Sequence, residues 1–408
     1  MNATNLCTLL RAHCWPVPCV LIAGLLMGCA CLSPATARGG HHLGGHSARS
    51  WGAGFEASPS DTTDSTSLWD TLPLAGADTA SNTSWYVLPL MYYTPETSVG
   101  GGLSAGYFFG DDPARISSIK SDLSATISGE YELSFDTELY LQDGRYRLWA
   151  DGNAARTPSS FFGIGPGSDS NDRESYTQQR VDVQLSGVER LTHALYLGIR
   201  TRARYATITA FADDGILDRN GVPGARGSTV LGVGPMLLVD NRSSTYYPNR
   251  GHYVSLYALF HPYVQRASGS FTRLVADMRR FVPVATDHVL ALQAYGESVT
   301  GTPPFALLPQ LGGSVRMRGY RNARFRDKIT VTAQAEWRFP VWKRVRAAAF
   351  ASVGTIAPEF SQLASTHLKP AGGLGLRYRL TDSGIHLRAD FAVSPDGTGL
   401  YLTGSQPF

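Results

Sequence analysis

Apolar and polar residues alternate along most of the chain between residues 85 and 408. In the segment 329–339, every second residue from Ile329 to Phe339 is apolar, and the residues between them are Thr, Gln, Glu or Arg. Successive side chains of a β-strand point to opposite faces, so a period of two predicts a strand with one apolar and one polar face. Similar segments of about 9 to 13 residues recur between clusters of Gly, Asp, Asn and Pro, and they predict an all-β fold.

Residues 1–37 have the organisation of a cleaved secretory signal peptide. Arg11 precedes an apolar core at residues 17–26, and residues 35–37, Ala-Thr-Ala, have the small-x-small pattern of a cleavage site. A second interpretation stays open, because the sequence Leu-Met-Gly-Cys that ends at Cys29 resembles a lipobox, which would make Cys29 an acylated anchor. All five cysteines lie within the first 31 residues, so the body of the chain offers no disulfide framework.

Residues 38–84 are rich in Gly, Ser, Thr, Ala and Asp and have no sustained period, which predicts a disordered periplasmic tail. Three histidines in this segment, His41, His42 and His46, lack carboxylate or cysteine partners at a fixed spacing. We therefore predict no metal site there, and no cofactor anywhere in the chain.

The composition excludes two further classes of protein. After residue 37, no apolar run approaches the roughly 18 residues that a membrane-spanning helix needs. The formal charge is only +3 and the basic residues are spread along the chain, so no nucleic-acid partner is predicted.

Alternation alone fits both a soluble sandwich and a membrane barrel. The number of segments, the export signal and the aromatic residues near segment ends, such as Trp85, Tyr107 and Tyr246, favour the barrel. Closure of a barrel also pairs every backbone N–H and C=O group in hydrocarbon. We predict a 16-stranded antiparallel transmembrane β-barrel over residues 85–408, with strands centred near residues 89, 104, 122, 135, 148, 183, 199, 233, 256, 275, 292, 334, 349, 375, 390 and 401.

A long connection, residues 301–327, separates predicted strands eleven and twelve and contains the sequence Arg318-Gly319-Tyr320. This motif resembles the sixth-loop signature of the BamA/TamA-type outer-membrane barrels, the bacterial surface antigen family, and lies between the same two strands. Further segments resemble motifs of that family in the family's order: the opening strand and turn at 88–102, a turn formed by Asp240, Arg242, Pro248 and Gly251, and the strand segment from Glu336 to Pro340. The likeness covers roughly residues 85 to 408.

The resemblance implies that the connection is inserted into the lumen, where Arg318 pairs with a carboxylate of the wall. Glu336 lies on the polar face of the next strand and is the natural partner, since a buried guanidinium needs such an acceptor. Ser352 stands where the family has a second acidic acceptor, so one acceptor is expected to be missing. Ser243 stands where the family turn ends in Asp.

The resemblance also implies a function in assembly, insertion or translocation of outer-membrane proteins in a Gram-negative outer membrane. The expected partners are outer-membrane lipids and unfolded outer-membrane clients, with the chain itself a monomer. Residues 38–84 are too few to hold one of the family's periplasmic transport modules, so a separate periplasmic protein is a further possible partner.

Two alternatives belong to other functional classes. One is a pore or structural surface antigen without insertase activity; because arginines are frequent on the predicted polar face, such a pore would prefer anions unless those charges pair with each other. The other is a hydrolase. The chain has no His-Glu-x-x-His pattern and its later histidines lie in turns or near strand ends, so we predict no catalytic residue and no enzyme activity.

Overall fold

The computed structural model describes residues 75–78, 83–94, 98–110, 112, 115–211, 215–219, 221–265, 269–364, 366–379, 386–404 and 406–408. The described residues all belong to one compact unit, Thr66–Phe408. The predicted signal peptide, the alternative lipobox at Cys29 and most of the predicted tail lie outside the described residues.

The described residues contain one short α-helix, α1, at Ile216–Arg219, two 3-10 helices at Phe305–Leu307 and Phe360–Gln362, and nineteen strands. The strands are β1 (Ala75–Asp78), β2 (Thr83–Thr94), β3 (Ser98–Phe109), β4 (Ser117–Thr126), β5 (Tyr131–Leu141), β6 (Tyr146–Phe161), β7 (Glu174–Arg190), β8 (Leu195–Ala210), β9 (Gly227–Asp240), β10 (Gly251–Gln265), β11 (Phe271–Ala285), β12 (His288–Gly301), β13 (Gln310–Leu311), β14 (Phe325–Arg326), β15 (Ile329–Trp342), β16 (Val345–Ala357), β17 (Lys369–Arg379), β18 (His386–Ser394) and β19 (Gly397–Gly404).

Sixteen of these strands, β2–β12 and β15–β19, form one antiparallel sheet in which each strand pairs with the next along the chain. The predicted number and order of the strands are confirmed. Two very short strands, β13 and β14, pair only with each other within the connection between β12 and β15.

The sheet buries its polar face and exposes its apolar face. In β15, Val331 and Trp337 are 41% and 44% exposed, whereas Glu336 and Arg338 are fully buried. Leu374 of β17 is 67% exposed, whereas a Cβ atom added at its neighbour Gly375 would lie 2.1 Å from Oδ1 of the buried Asp390. A soluble sandwich would bury the apolar face instead, so this arrangement matches a sheet whose apolar side faces lipid.

No helix in the described part of the chain is both long and apolar enough to cross a membrane.

The structure corrects the predicted boundary between tail and sheet. The predicted tail, residues 38–84, includes β1 and the first two residues of β2. The β1 strand pairs antiparallel with the beginning of β2, from Ala75 opposite Tyr86 to Asp78 opposite Thr83. Its sequence, Ala-Gly-Ala-Asp, is too short to show alternation. The segment is a strand because the edge of β2 offers backbone hydrogen-bond partners.

Candidate functional site: the connection between β12 and β15

The connection between β12 and β15 folds into a loop with a narrow neck. At the neck, Gln310 of β13 pairs with Arg326 of β14, and Leu311 pairs with Phe325. The segment between these two strands carries the predicted motif, Arg318-Gly319-Tyr320, at its tip. We call residues 302–328 the motif loop.

Gly319 is required by the backbone at the tip of the motif loop. Its φ angle is +107°, and a Cβ atom there would lie 3.0 Å from both the carbonyl carbon and the oxygen of Val393 in β18. Only glycine adopts such a conformation without strain at so close an approach. The loop backbone therefore lies directly against the polar face of the sheet.

Arg318 and Glu336, which the sequence proposed as partners, are in direct contact. The Nη2 atom of Arg318 donates to Oε2 of Glu336 at 2.8 Å, and both side chains are at most 1% exposed. The guanidinium also stacks 3.5 Å from the ring of Phe350 in β16. Contacts with a carboxylate and an aromatic face together hold the arginine in one orientation.

The second acceptor of Arg318 is Asp390, not the residue at position 352. The Nη1 atom of Arg318 donates to Oδ2 of Asp390 in β18 at 2.6 Å. Ser352 instead donates to the carbonyl oxygen of Ala371 at 3.5 Å. The expectation that one acceptor is missing was wrong, because a carboxylate on another strand reaches the same guanidinium. The sequence indicated only that Asp390 is a polar residue in the alternating segment of β18. No local feature of the sequence links Asp390 to the loop.

Three more arginines complete this cluster. Arg338 donates to Glu336 at 2.8 Å, and Arg377 bridges both carboxylates, at 3.3 Å to Glu336 and by a shorter bond to Asp390. Arg388 lies 3.7 Å from Asp390. We call Arg318, Arg338, Arg377, Arg388, Glu336 and Asp390 the loop cluster. All six residues are at most 4% exposed, and four cations share two anions.

The other motif residues extend the attachment to the last strand. The backbone N–H of Gly319 donates to the Tyr401 hydroxyl of β19 at 3.1 Å. The Tyr320 hydroxyl donates to the carbonyl oxygen of Pro370 in β17 at 3.1 Å, and burial raises the pKa of Tyr320. Outside the loop itself, the hydrogen bonds and ion pairs of these motif residues all go to β15 or β17–β19.

The loop cluster also holds the last residues of the sequence. Arg338 donates to the Phe408 carbonyl oxygen at 3.1 Å, and Arg377 donates to the Gln406 side chain at 3.2 Å. The Phe408 ring is 5% exposed and packs against Phe281 of β11. The terminal aromatic residue is therefore packed in a buried cluster beyond the end of β19.

The opposite side of the motif loop contacts connections between earlier strands. The Gly165 N–H donates to the Arg326 carbonyl oxygen at 2.9 Å, and the Phe305 N–H donates to the Pro223 carbonyl oxygen at 2.8 Å. Arg324 pairs with Asp396 in the turn between β18 and β19 at 2.9 Å. The loop thus ties the last strands to the β6–β7 and β8–β9 connections.

The predicted family turn lies elsewhere, between β9 and β10. The Arg242 guanidinium donates two hydrogen bonds to Asp240, at 2.9 and 2.8 Å, and Arg147 of β6 donates to the same carboxylate at 2.8 Å. The pKa of Arg242 lies above its ordinary value. Burial alone would lower it, but the hydrogen bonds from Arg242 to Asp240 and the negative charge of Asp240 together have the larger, opposite effect. Gly251 has a φ angle of +102°, and a Cβ atom there would lie 2.4 Å from the Asn241 oxygen.

Pro248 is buried in this turn, and Ser243 takes over part of the role expected of an aspartate. The Ser243 hydroxyl accepts the backbone N–H of Asn249 at 3.1 Å and donates to the Asn249 side chain at 2.7 Å. A hydroxyl therefore stabilises the turn here without adding a charge.

Asp240→Asn should lower the free energy of unfolding by about 2–3 kcal/mol, because Arg147 and Arg242 are nearly buried and would lose a shared anion. Arg147 keeps a second partner, Glu138, which limits the loss. Urea unfolding of the chain in detergent, followed by tryptophan fluorescence, measures the change. Asp218→Asn, in the exposed pair with Arg226, serves as control and should change it by less than about 0.5 kcal/mol. Equal effects would contradict a structural role for the family turn.

One serine has the spacing of a hydrolase elbow, since residues 102–106 read Gly-Leu-Ser-Ala-Gly. Ser104 lies in the middle of β3 and not at a strand-to-helix turn, and its hydroxyl is 3.3 Å from the Tyr86 hydroxyl. Among the described residues, no three His, Cys, Asp or Glu side chains are grouped so that they could hold a metal ion.

Comparison with known proteins agrees with this architecture. The family model of the Omp85 superfamily domain matches residues 116–399, which is well over half of the chain. The chain therefore belongs to the Omp85 superfamily. No curated protein matches the sequence.

Solved structures show the same fold at low sequence identity. BamA from Haemophilus ducreyi lacking POTRA domains 1–3 superposes with a TM-score of 0.54 at 12% identity, covering 80% of this chain and 70% of that chain. CdiB from Escherichia coli gives a TM-score of 0.51 at 13% identity, covering 78% and 62%. CdiB from Acinetobacter baumannii gives 0.50 at 13% identity, covering 82% and 60%. The chain thus spans less than two thirds of either CdiB chain.

Proposed function

We propose that the chain is an outer-membrane β-barrel, closed between β2 and β19, with the motif loop in its lumen. Burial of the polar face and exposure of the apolar face support the barrel, because open edges are not stable in hydrocarbon. Outer-membrane lipids would cover the apolar face, and a single chain would form the whole barrel.

We further propose that this barrel assembles or translocates outer-membrane proteins by pairing their strands with the edge of β2. The observation that carries this proposal is where the three motif residues bind: Arg318, Gly319 and Tyr320 bind β15 and β17–β19. Those strands are held through buried ion pairs, which makes the β2 side the one free to move. Strand addition at an exposed edge recognises backbone groups and so accepts clients of many sequences.

The short strand β1 supports the same site on β2. It pairs with only Thr83–Tyr86, the first four residues of β2. Because only four residue pairs hold β1 on β2, a longer strand can easily displace β1. A client strand, or a segment of a separate periplasmic protein, would replace β1. Once β19 separates from β2, that strand would continue along the rest of β2.

A cross-linking experiment tests the proposal. Val87→Cys places a thiol on β2, and Leu376→Cys places one on β17, a strand paired on both sides; these side chains are 38% and 55% exposed. In both variants the native cysteines at residues 7–31 are replaced by serine. An unfolded outer-membrane client with a cysteine in its last strand should cross-link to Val87→Cys during insertion into liposomes. Equal cross-linking to both variants, or no faster insertion than into empty liposomes, would reject the proposal.

A passive pore or surface antigen is the second candidate. A cavity of 1210 Å³ on the polar face supports it, because arginines line the cavity and would favour anions. Planar-bilayer recordings of the chain separate the two functions: steady anion-selective conductance without client insertion would favour the pore.

We propose no catalytic role for the chain, because Ser104 lies mid-strand beside a tyrosine. A lipid and ester hydrolysis assay tests this, and the expected result is the rate of the buffer alone.

A further inference from the structure

The cavity lies between the motif loop and strands β5–β8 and β10–β12. The loop contributes three arginines to its wall, Arg316, Arg321 and Arg326. The strands contribute five more, Arg180, Arg200, Arg202, Arg204 and Arg273. Arg173, in the connection between β6 and β7, is the ninth arginine of the wall. Cationic side chains therefore reach the cavity both from the motif loop and from the surrounding fold.

Most carboxylates of the cavity wall are already engaged by the strands. Seven carboxylates line the cavity, and Glu130 is one of them. The other six form ion pairs: Glu132 with Arg180, Asp136 with Lys120, Asp151 with Arg200, Asp182 with both Arg202 and Arg204, Asp277 with Arg279, and Glu297 with Arg273. The charges that the strands supply thus nearly balance each other, and none of these six carboxylates forms an ion pair with Arg316, Arg321 or Arg326.

Arg316, Arg321 and Arg326, the loop arginines of the cavity wall, have no carboxylate partner among the described residues. Arg326 is 1% exposed, stacks 5.3 Å from the rings of Phe161 and Phe305, and donates only to the Phe305 carbonyl oxygen at 3.4 Å. Its Nε atom is buried without a partner. Arg316 stacks 3.8 Å from the ring of Tyr295. Stacking holds a guanidinium in place but leaves its N–H edge available for an anion.

We propose that this cavity binds a soluble, multiply charged oxyanion, such as a phosphate ester or pyrophosphate, through Arg326, Arg316 and Arg321. A buried guanidinium without an anion is unfavourable, and its fork of donors matches phosphate oxygens in pairs. The volume of 1210 Å³ exceeds that of one phosphate group, so a small phosphorylated molecule fits. The charged wall suits a ligand without an acyl chain. The assembly function is proposed at the edge of β2, whereas this anion site lies on the surface of the motif loop that faces the cavity. The inference therefore goes beyond the proposed function.

Isothermal titration of the full chain in detergent with pyrophosphate tests the proposal. The expected result is saturable binding of one anion per chain, weakened about tenfold or more in Arg326→Gln, since a charged hydrogen bond contributes at least that much. Because Arg326 is buried and its variant could fail to fold, Arg316→Gln and Arg321→Gln are titrated as well. These side chains are only partly buried or exposed, and each variant should also bind more weakly.

Arg226→Gln is the matched control, because Arg226 is 77% exposed and lies outside the cavity wall. It should bind pyrophosphate as the native chain does. Absence of saturable binding in the native chain would overturn the proposal. Binding that Arg316→Gln and Arg321→Gln leave unchanged, or that Arg226→Gln weakens equally, would overturn it too.

Discussion

Glu336→Gln should lower the free energy of unfolding by about 3–5 kcal/mol, the range expected when one partner of a buried ion pair is removed. Glu336 accepts hydrogen bonds from Arg318, Arg338 and Arg377, and all four side chains are at most 1% exposed. Glutamine keeps the shape of the side chain but removes its charge. Asp390 would then be the single carboxylate facing the four arginines of the loop cluster. Urea unfolding in detergent micelles measures the loss.

Glu189→Gln is the matched control for this prediction. Glu189 also pairs with an arginine, Arg145, at 2.7 Å, but their side chains are 43% and 55% exposed. Solvent screens such a pair, so the free energy of unfolding should change by less than about 1 kcal/mol. If both substitutions had the same effect, burial of the loop cluster would not stabilise the fold.

Arg318→Ala should release the motif loop from the sheet, with a smaller effect on the strands themselves. Glu336 and Asp390 keep Arg377, and Glu336 also keeps Arg338, so no carboxylate is left unpaired. The loop loses both of the ion pairs that Arg318 makes to the sheet. If the attached loop becomes less stable relative to the released loop by about 3 kcal/mol, the population of released loop rises roughly a hundredfold.

Limited trypsin digestion measures that population through cleavage after Arg321, a residue that is exposed at the tip of the loop. Arg316→Ala is the control, because Arg316 is in the same loop and has no ion pair among the described residues. The cleavage rate should rise for Arg318→Ala and stay near the native rate for Arg316→Ala. Arg318→Lys should not restore the native rate, since a single ammonium cannot engage two carboxylates as a guanidinium fork does. Equal rates for the two alanine variants would contradict attachment through Arg318.

The loop cluster was only partly accessible from the sequence. Glu336 was predictable as a partner because it follows the motif loop directly, on the polar face of the next strand. Asp390 lies 72 residues from Arg318 along the chain and was known only as a polar position in an alternating segment. No sequence feature indicated the role of Tyr401. Its hydroxyl accepts a backbone N–H of the loop, and any loop residue other than proline offers such a group. Such contacts depend on how far the loop folds back, which no local pattern encodes.

By itself, the sequence determined the all-β class, the sixteen strands, their order and the face on which each side chain lies. These features follow from local alternation, because side chains in a strand change face at every residue. The tertiary structure alone decided that β1 pairs with the start of β2, and that Arg318 is shared between carboxylates of β15 and β18. It also decided which arginines are left without a partner. The pairing of charges depends on distances across the fold, and a charge brought out of water is stable only beside the group that neutralises it.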